Sequence, residues 1–190
     1  MQDMLLHLLA LFALCCTFGG SALAEEHQYI IEKPISITHG QVIVFDQSNP
    51  KYLLWTDEHV AQGFGWLNGS VSFGIPDRDG WPLVRLKIVD EFPPLTPDVR
   101  RAIRVPFHSN SNIVIATIVD DIPTPIGAGD YSIEFRMVDV PPPADDLKDP
   151  SYVIDFLIKK GKSDEFKILR KSDEVTSDDV ITKTGKPVGF

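Results

Sequence analysis

Five histidines, His7, His27, His39, His59 and His108, are the first residues that could do chemistry. None forms an HxH, HExxH or HxxxH pair, the spacings that would aim two ring nitrogens at one metal ion from a strand or a helix. The two cysteines, Cys15 and Cys16, both lie in an apolar N-terminal run and offer the rest of the chain no thiolate. Carboxylates come in adjacent pairs: Asp57-Glu58, Asp90-Glu91, Asp120-Asp121, Asp145-Asp146 and Asp178-Asp179. Neighbours on a strand point to opposite faces, so adjacency alone does not make an acid–base dyad. Asp77-Arg78-Asp79-Gly80 lacks the further acidic ligands and closing Glu of a calcium loop and reads as a turn. No G-x-S-x-G occurs, and Gly69-Ser70 leads into a strand rather than a helix. Gly127-Ala128-Gly129-Asp130 has the glycines of a phosphate loop without its lysine or its helix. The sequence therefore offers no catalytic residue, no metal site and no cofactor, and is read as non-enzymatic.

Binding is better supported. Trp55, Phe64, Trp66 and Phe73 are clustered, with Trp81 close behind. Large aromatic side chains anchor protein interfaces, and charged neighbours set partner choice. Trp55 suits a core. Trp66 and Trp81 stand in turn-rich sequence beside Gly65, Asn68-Gly69 and Gly80, and suit an interface. The nominated partner-binding residues are Asp57, Glu58, Trp66 and Trp81, with Asp120 and Asp121 as a second patch.

The elements that must hold these residues are mostly strands. Apolar and β-branched runs occupy Tyr29–Thr38, Gln41–Phe45, Ser70–Phe73, Leu83–Val89, Ile103–Phe107, Ile113–Val119, Tyr131–Val138 and Tyr152–Ile158, with Phe166–Leu169 as one more. His39-Gly40 reads as a hairpin turn between the first two. Prolines mark connections at 93–97, 123–125 and 141–143, because a proline cannot donate to a strand ladder. One short helix is expected from Thr56 or Asp57 to Gln62, ended by Gly63, and a second helical turn over Thr96–Ala102. The pattern predicts an all-β chain: an antiparallel β-sandwich of about 8 strands with one or two short helical turns.

Leu5–Phe18 is a nearly continuous apolar run, followed by Gly19, Gly20 and Ser21 and then Ala22-Leu23-Ala24 before Glu25-Glu26. Small residues at the −3 and −1 positions predict a signal peptide over 1–24, cleaved after Ala24. The expected organisation is a signal peptide (1–24), a β-sandwich domain (25–160) and a polar, acidic C-terminal tail (161–190), loosely attached beyond Lys171. The expected location is outside the cytoplasm, periplasmic or extracellular, with no membrane contact after cleavage. Across its 190 residues the chain has a net charge of −9. That argues against direct nucleic-acid binding, which needs surplus Lys and Arg for the phosphates.

Four segments resemble one family. Trp55-Thr56-Asp57-Glu58, Ala61, Gly63 and Gly69-x-Val71-Ser72-Phe73 come first; Val105-Pro106-Phe107-His108, Gly129-Asp130-Tyr131 and Tyr152-Val153-Ile154-Asp155 follow in order. Together they are similar to the competence protein J family, inhibitors of a DNA-degrading nuclease, over about Pro34 to Ile158. The resemblance implies a non-enzymatic protein whose partner is a nuclease, here possessing an export signal and so an immunity-type role at the cell envelope. Acidic charge suits that partner, since a nuclease groove must be basic. The alternative reading is an exported β-sandwich module that binds a sugar, a lipid or a surface protein.

Overall fold

The computed structural model describes residues 29–75, 80–141 and 152–188; segment 1–24, where a signal peptide is expected, lies outside them. From the start of the described chain come β1 (Ile31–Pro34), β2 (Gln41–Asp46), β3 (Leu53–Leu54), α1 (Asp57–Gln62), β4 (Phe64–Leu67), β5 (Ser70–Gly74) and β6 (Leu83–Ile88). Then follow β7 (Val99–Ser109), β8 (Ile113–Ala116), β9 (Asp121–Pro123), β10 (Gly129–Asp139), β11 (Tyr152–Lys160), β12 (Lys167–Arg170) and β13 (Lys186–Pro187). The chain is mostly β, as expected, though several short strands raise the number above eight.

Two larger sheets hold the molecule. One has the order β1-β6-β11-β10-β7-β12, the other β4-β5-β2-β8-β9, and β13 pairs with β3 in a small ribbon. Period-two alternation decides which side chains turn inward. In β10, Ile133, Phe135 and Met137 enter the main core, while Glu134 and Arg136 leave on the other face, where Glu134 accepts from both Arg136 and Arg104. The two sheets meet through aromatic rings. Phe73 of β5 stacks on Phe135 of β10 with centroids 4.6 Å apart, and Phe156 of β11 leans on both.

Three expectations change. β11 runs parallel to β6, so the pairing is not wholly antiparallel. His39-Gly40 does not close a hairpin: β1 pairs with β6 in one sheet and β2 lies between β5 and β8 in the other. Gly40, at φ 57°, turns the chain from one layer to the next, with Ile35 and Ile37 buried on the way. The helical turn at Thr96–Ala102 is instead a turn at Pro97-Asp98 followed at once by β7. Arg101, Ile103, Val105 and Phe107 alternate at the strand period, and that wins over the local turn signal.

The C-terminal stretch is docked rather than loose. β12 pairs with β7, Val175 is buried, and Ser177 N–H donates to the Ala61 carbonyl. Further on, β13 pairs with β3, and Val188 N–H donates to the Tyr52 carbonyl. These are mainly backbone attachments, which a polar sequence can make without apolar periodicity.

Candidate functional site

α1 is a six-residue helix defined by its ends. Thr56 precedes it in an extended conformation, and Gly63 follows at φ 77°, its N–H reaching the His59 and Val60 carbonyls. The His59 ring faces inward. Its Nδ1 accepts from Thr56 N–H at 3.1 Å and its Nε2 donates to the Thr184 carbonyl at 3.1 Å. Those partners require the neutral tautomer with its proton on Nε2. Asp57 and Glu58 are exposed in the first turn, where the helix N-terminus favours negative charge. The Thr56 hydroxyl donates to Glu58 Oε2 at 2.6 Å and holds that carboxyl below its ordinary value.

A pocket of about 520 Å³ opens beside α1. Val60 lines it from the helix, Trp55 from the segment before it, Ile75 from the end of β5, Ile118 from the turn between β8 and β9, and Glu174 and Val175 from the C-terminal stretch. Thr117 shapes that turn: its hydroxyl oxygen accepts from the N–H groups of Val119 and Asp120, and its own N–H donates to the Asp120 carbonyl at 2.8 Å. The turn presents Ile118 and Val119 outward, 48% and 60% exposed.

Arg101 forms part of the pocket wall yet is only 2% exposed. Its Nε donates to Ser172 Oγ, its Nη1 to the Gly74 carbonyl and its Nη2 to Glu174 Oε2. Burial pushes the guanidinium below its ordinary value, and the Glu174 carboxylate opposes that. Burial also works against the Glu174 charge. Hydrogen bonds from Ser172 and the Arg101 guanidinium outweigh it and hold Glu174 below the usual carboxylate range. The cation is thus committed to the protein's own groups.

The nominated residues do not form one cluster. Asp57 stands one helical turn before Val60 of that pocket, whereas Asp120 and Asp121 line an adjoining cleft with Phe45, Tyr52 and Val119 that shares Ile118 with it. Asp120 Oδ2 also accepts from Ser36 N–H, and the next residue, Ile37, bridges to Gly80 beside Trp81. Trp81 is 61% exposed. Glu58 faces a second cleft with His59, Ile181 and Thr184. Trp66 belongs elsewhere. Its indole N–H donates to the Pro106 carbonyl at 2.7 Å, and Phe166 packs edge-on against the ring. It closes the core beneath β12 rather than meeting the pocket.

The sequence reading passed over Arg101, Val60 and Ile118. Arg101 had a signal, since it shares the parity of Ile103, Val105 and Phe107 on β7 and so must point inward. His39, His59 and His108 each have their own partners: Thr38 for His39, Thr56 and Thr184 for His59, and Asp130 and Asn110 for His108. Among the described residues no group of three or more His, Cys, Asp or Glu is arranged to hold a metal ion.

Comparison with known families decides the kinship. The family model for competence protein J (ComJ) matches residues 34–157. The chain belongs to the competence protein J family. Among solved structures, ComJ from Bacillus subtilis, described as an inhibitor of the DNA degrading activity of NucA, superposes with a TM-score of 0.56 at 20% identity. That likeness covers 72% of this chain and 98% of ComJ, and it supports the common fold. The protein of crocagin biosynthetic gene J aligns more distantly, with a TM-score of 0.41 and 16% identity, over 67% of this chain and 94% of its own. No curated protein matches by sequence. The ComJ match ends at residue 157, so Ser172, Glu174 and Val175, which complete the pocket and bind Arg101, lie beyond the matched region.

Proposed function

We propose that the protein is a non-enzymatic β-sandwich inhibitor that binds a DNA-degrading nuclease and blocks it, acting outside the cytoplasm as an immunity-type protein of the cell envelope. Membership of the ComJ family over residues 34–157 is the observation that carries this reading. The Bacillus subtilis member is an inhibitor of the DNA degrading activity of NucA. A net charge of −9 fits the role physically. A basic groove built for phosphates attracts an acidic protein and can be occupied by it in place of DNA. The export part of the proposal rests on Leu5–Phe18 and Ala22-Leu23-Ala24.

The test is a titration. A DNA-degrading nuclease captured on the immobilised full chain is assayed with increasing inhibitor. Stoichiometric loss of DNA degradation, relieved by salt, is the expected result. Undiminished degradation at a several-fold excess would refute it. The pocket of about 520 Å³ supports a second reading, an exported binding module, because small-molecule sites span roughly 300–1,000 Å³. Mass spectrometry of the natively purified protein separates the two, since a sugar or lipid bound there would be carried through purification.

A further inference from the structure

We propose that the pocket between α1 and the Thr117–Asp121 turn receives an apolar anchor side chain from the nuclease, with Lys or Arg residues on either side of that anchor meeting the acidic rim. The proposal rests on the inhibitor reading and deepens it.

Three observations define the occupant. First, the mouth is apolar and uncovered. Val60 is 57% exposed on α1 and Ile118 48% exposed at a turn tip, and both line the pocket with Trp55, Ile75 and Val175 behind them. Exposed apolar side chains grouped around a concavity mark a contact surface more than single ones do. Second, the interior disfavours charge of either sign. An incoming anion would meet Glu174, and an incoming cation would meet Arg101, whose Nε, Nη1 and Nη2 are already donated to Ser172, Gly74 and Glu174. A neutral apolar group displaces water without breaking that arrangement. Third, the surroundings are acidic. Asp57 precedes Val60 by one helical turn, Asp120 and Asp121 line the adjoining cleft that shares Ile118 with the pocket, and Glu174 is in the wall. A central anchor in a pocket with complementary charge around it is how protein interfaces divide affinity from steering. A nuclease surface that binds DNA supplies the basic part.

Two measurements on the full chain test this. In the first, N-acetyl-phenylalaninamide and N-acetyl-argininamide are titrated separately while the Trp55 indole N–H resonance is followed. The phenylalanine probe should shift it saturably and the arginine probe should not, and Ile118→Asp should abolish the effect. A stronger response to the arginine probe, or no response to the phenylalanine probe, overturns the proposal. In the second, Val60→Asp and Ile118→Asp enter the nuclease titration, with Ile88→Asp, equally exposed on β6, as the control. Circular dichroism establishes that each variant is folded. Both pocket variants should raise the inhibition constant at least tenfold, mainly through faster dissociation, and the control should not. Inhibition unchanged in all three variants overturns the pocket while leaving the inhibitor reading intact. No inhibition by the unsubstituted chain overturns both.

Discussion

The Gln62 side chain clasps the backbone of Thr182 from both sides: its Oε1 accepts the Thr182 N–H at 3.0 Å and its Nε2 donates to the Thr182 carbonyl at 2.9 Å. The same Oε1 accepts from Ile181 N–H, and the same Nε2 donates to the Phe64 carbonyl. One fully buried amide at the end of α1 therefore fixes the C-terminal stretch to the domain. Its neighbour His59 adds the hydrogen bond to Thr184.

Replacing Gln62 by Leu keeps the volume and removes four hydrogen bonds. Phe64, Ile181 and Thr182 lose their amide partner, and unmet buried groups cost about 1–3 kcal/mol each where water cannot replace the bond. Release of the strap lets water in and limits the loss, so the expected destabilisation is about 2–4 kcal/mol. Hydrogen exchange at Ile181 and Thr182 should speed up more than at core amides such as Phe135. Equal protection in both proteins would show that the clasp does not hold the stretch.

This clasp also shows where sequence reasoning stopped. α1 was legible because both of its ends are local: Thr56 and Gly63 are visible within eight residues. β10, β11 and the Ile103–Phe107 part of β7 were legible because period-two alternation survives in a single sequence. What Gln62 binds in the C-terminal stretch was not, because those partners are about 120 residues away and are backbone groups with no side-chain signature. The parallel β6–β11 pairing and the crossing of layers at Gly40 depend likewise on distant partners. In the candidate site, both acidic pairs were noticed for their charge. The pocket beside α1 escaped because Val60, Ile118 and Arg101 gain their meaning only when three separate segments meet.

Asp46 provides the pH-dependent case. It is buried at the end of β2 and accepts from Ser48 N–H and Oγ, Ser111 Oγ and Asn110 N–H and Nδ2. Burial alone would raise its pKa, and the hydrogen bonds from Ser111, Asn110 and Ser48 outweigh it, so the carboxyl is held far below the usual range. A depressed folded-state pKa gives stability that is present above the unfolded value near 3.8 and is lost as the pH falls toward the folded value. Asp46→Ala should cost about 3 kcal/mol at neutral pH. Urea unfolding at several pH values should show the difference between the two proteins shrinking below about pH 4. A difference independent of pH would contradict the charge-based account.

The two nominated tryptophans should behave in opposite ways. Trp66 donates to Pro106, packs on Phe166 and closes the core, so Trp66→Ala should destabilise the fold by about 3–5 kcal/mol. Trp81 is 61% exposed, and Trp81→Ala should leave the melting temperature within a few degrees. If Trp81 meets the nuclease beside Asp120, its removal should raise the inhibition constant about tenfold or more, as loss of an aromatic contact at an interface does. Thermal melts and inhibition assays on both variants separate stability from binding. A Trp81 variant of full potency would place that ring outside the interface.

Charge reversal tests the acidic rim. Asp57 and Asp121 are exposed, Asp57 one helical turn before Val60 of the pocket and Asp121 in the adjoining cleft that shares Ile118 with it, whereas Glu58 is held by the Thr56 hydroxyl and faces the second cleft. Asp57→Lys with Asp121→Lys should slow association with a basic nuclease about tenfold at low ionic strength and change dissociation little. Exposed charges act at long range, so the effect should fade as salt shortens the screening length from about 10 Å at 0.1 M toward about 3 Å at 1 M. Glu58→Lys alone should slow association less, because its carboxylate lies on the other side of α1. The acidic first turn complements the helix terminus, so Asp57→Lys also costs up to about 1 kcal/mol of stability, and the melting temperature must be measured alongside. Stopped-flow association across a salt series decides the matter. Slower association that persists at high salt would mean that the variants disturb the docked geometry rather than the steering. Equal slowing by Glu58→Lys would shift the interface from the pocket to the cleft formed by His59, Ile181 and Thr184.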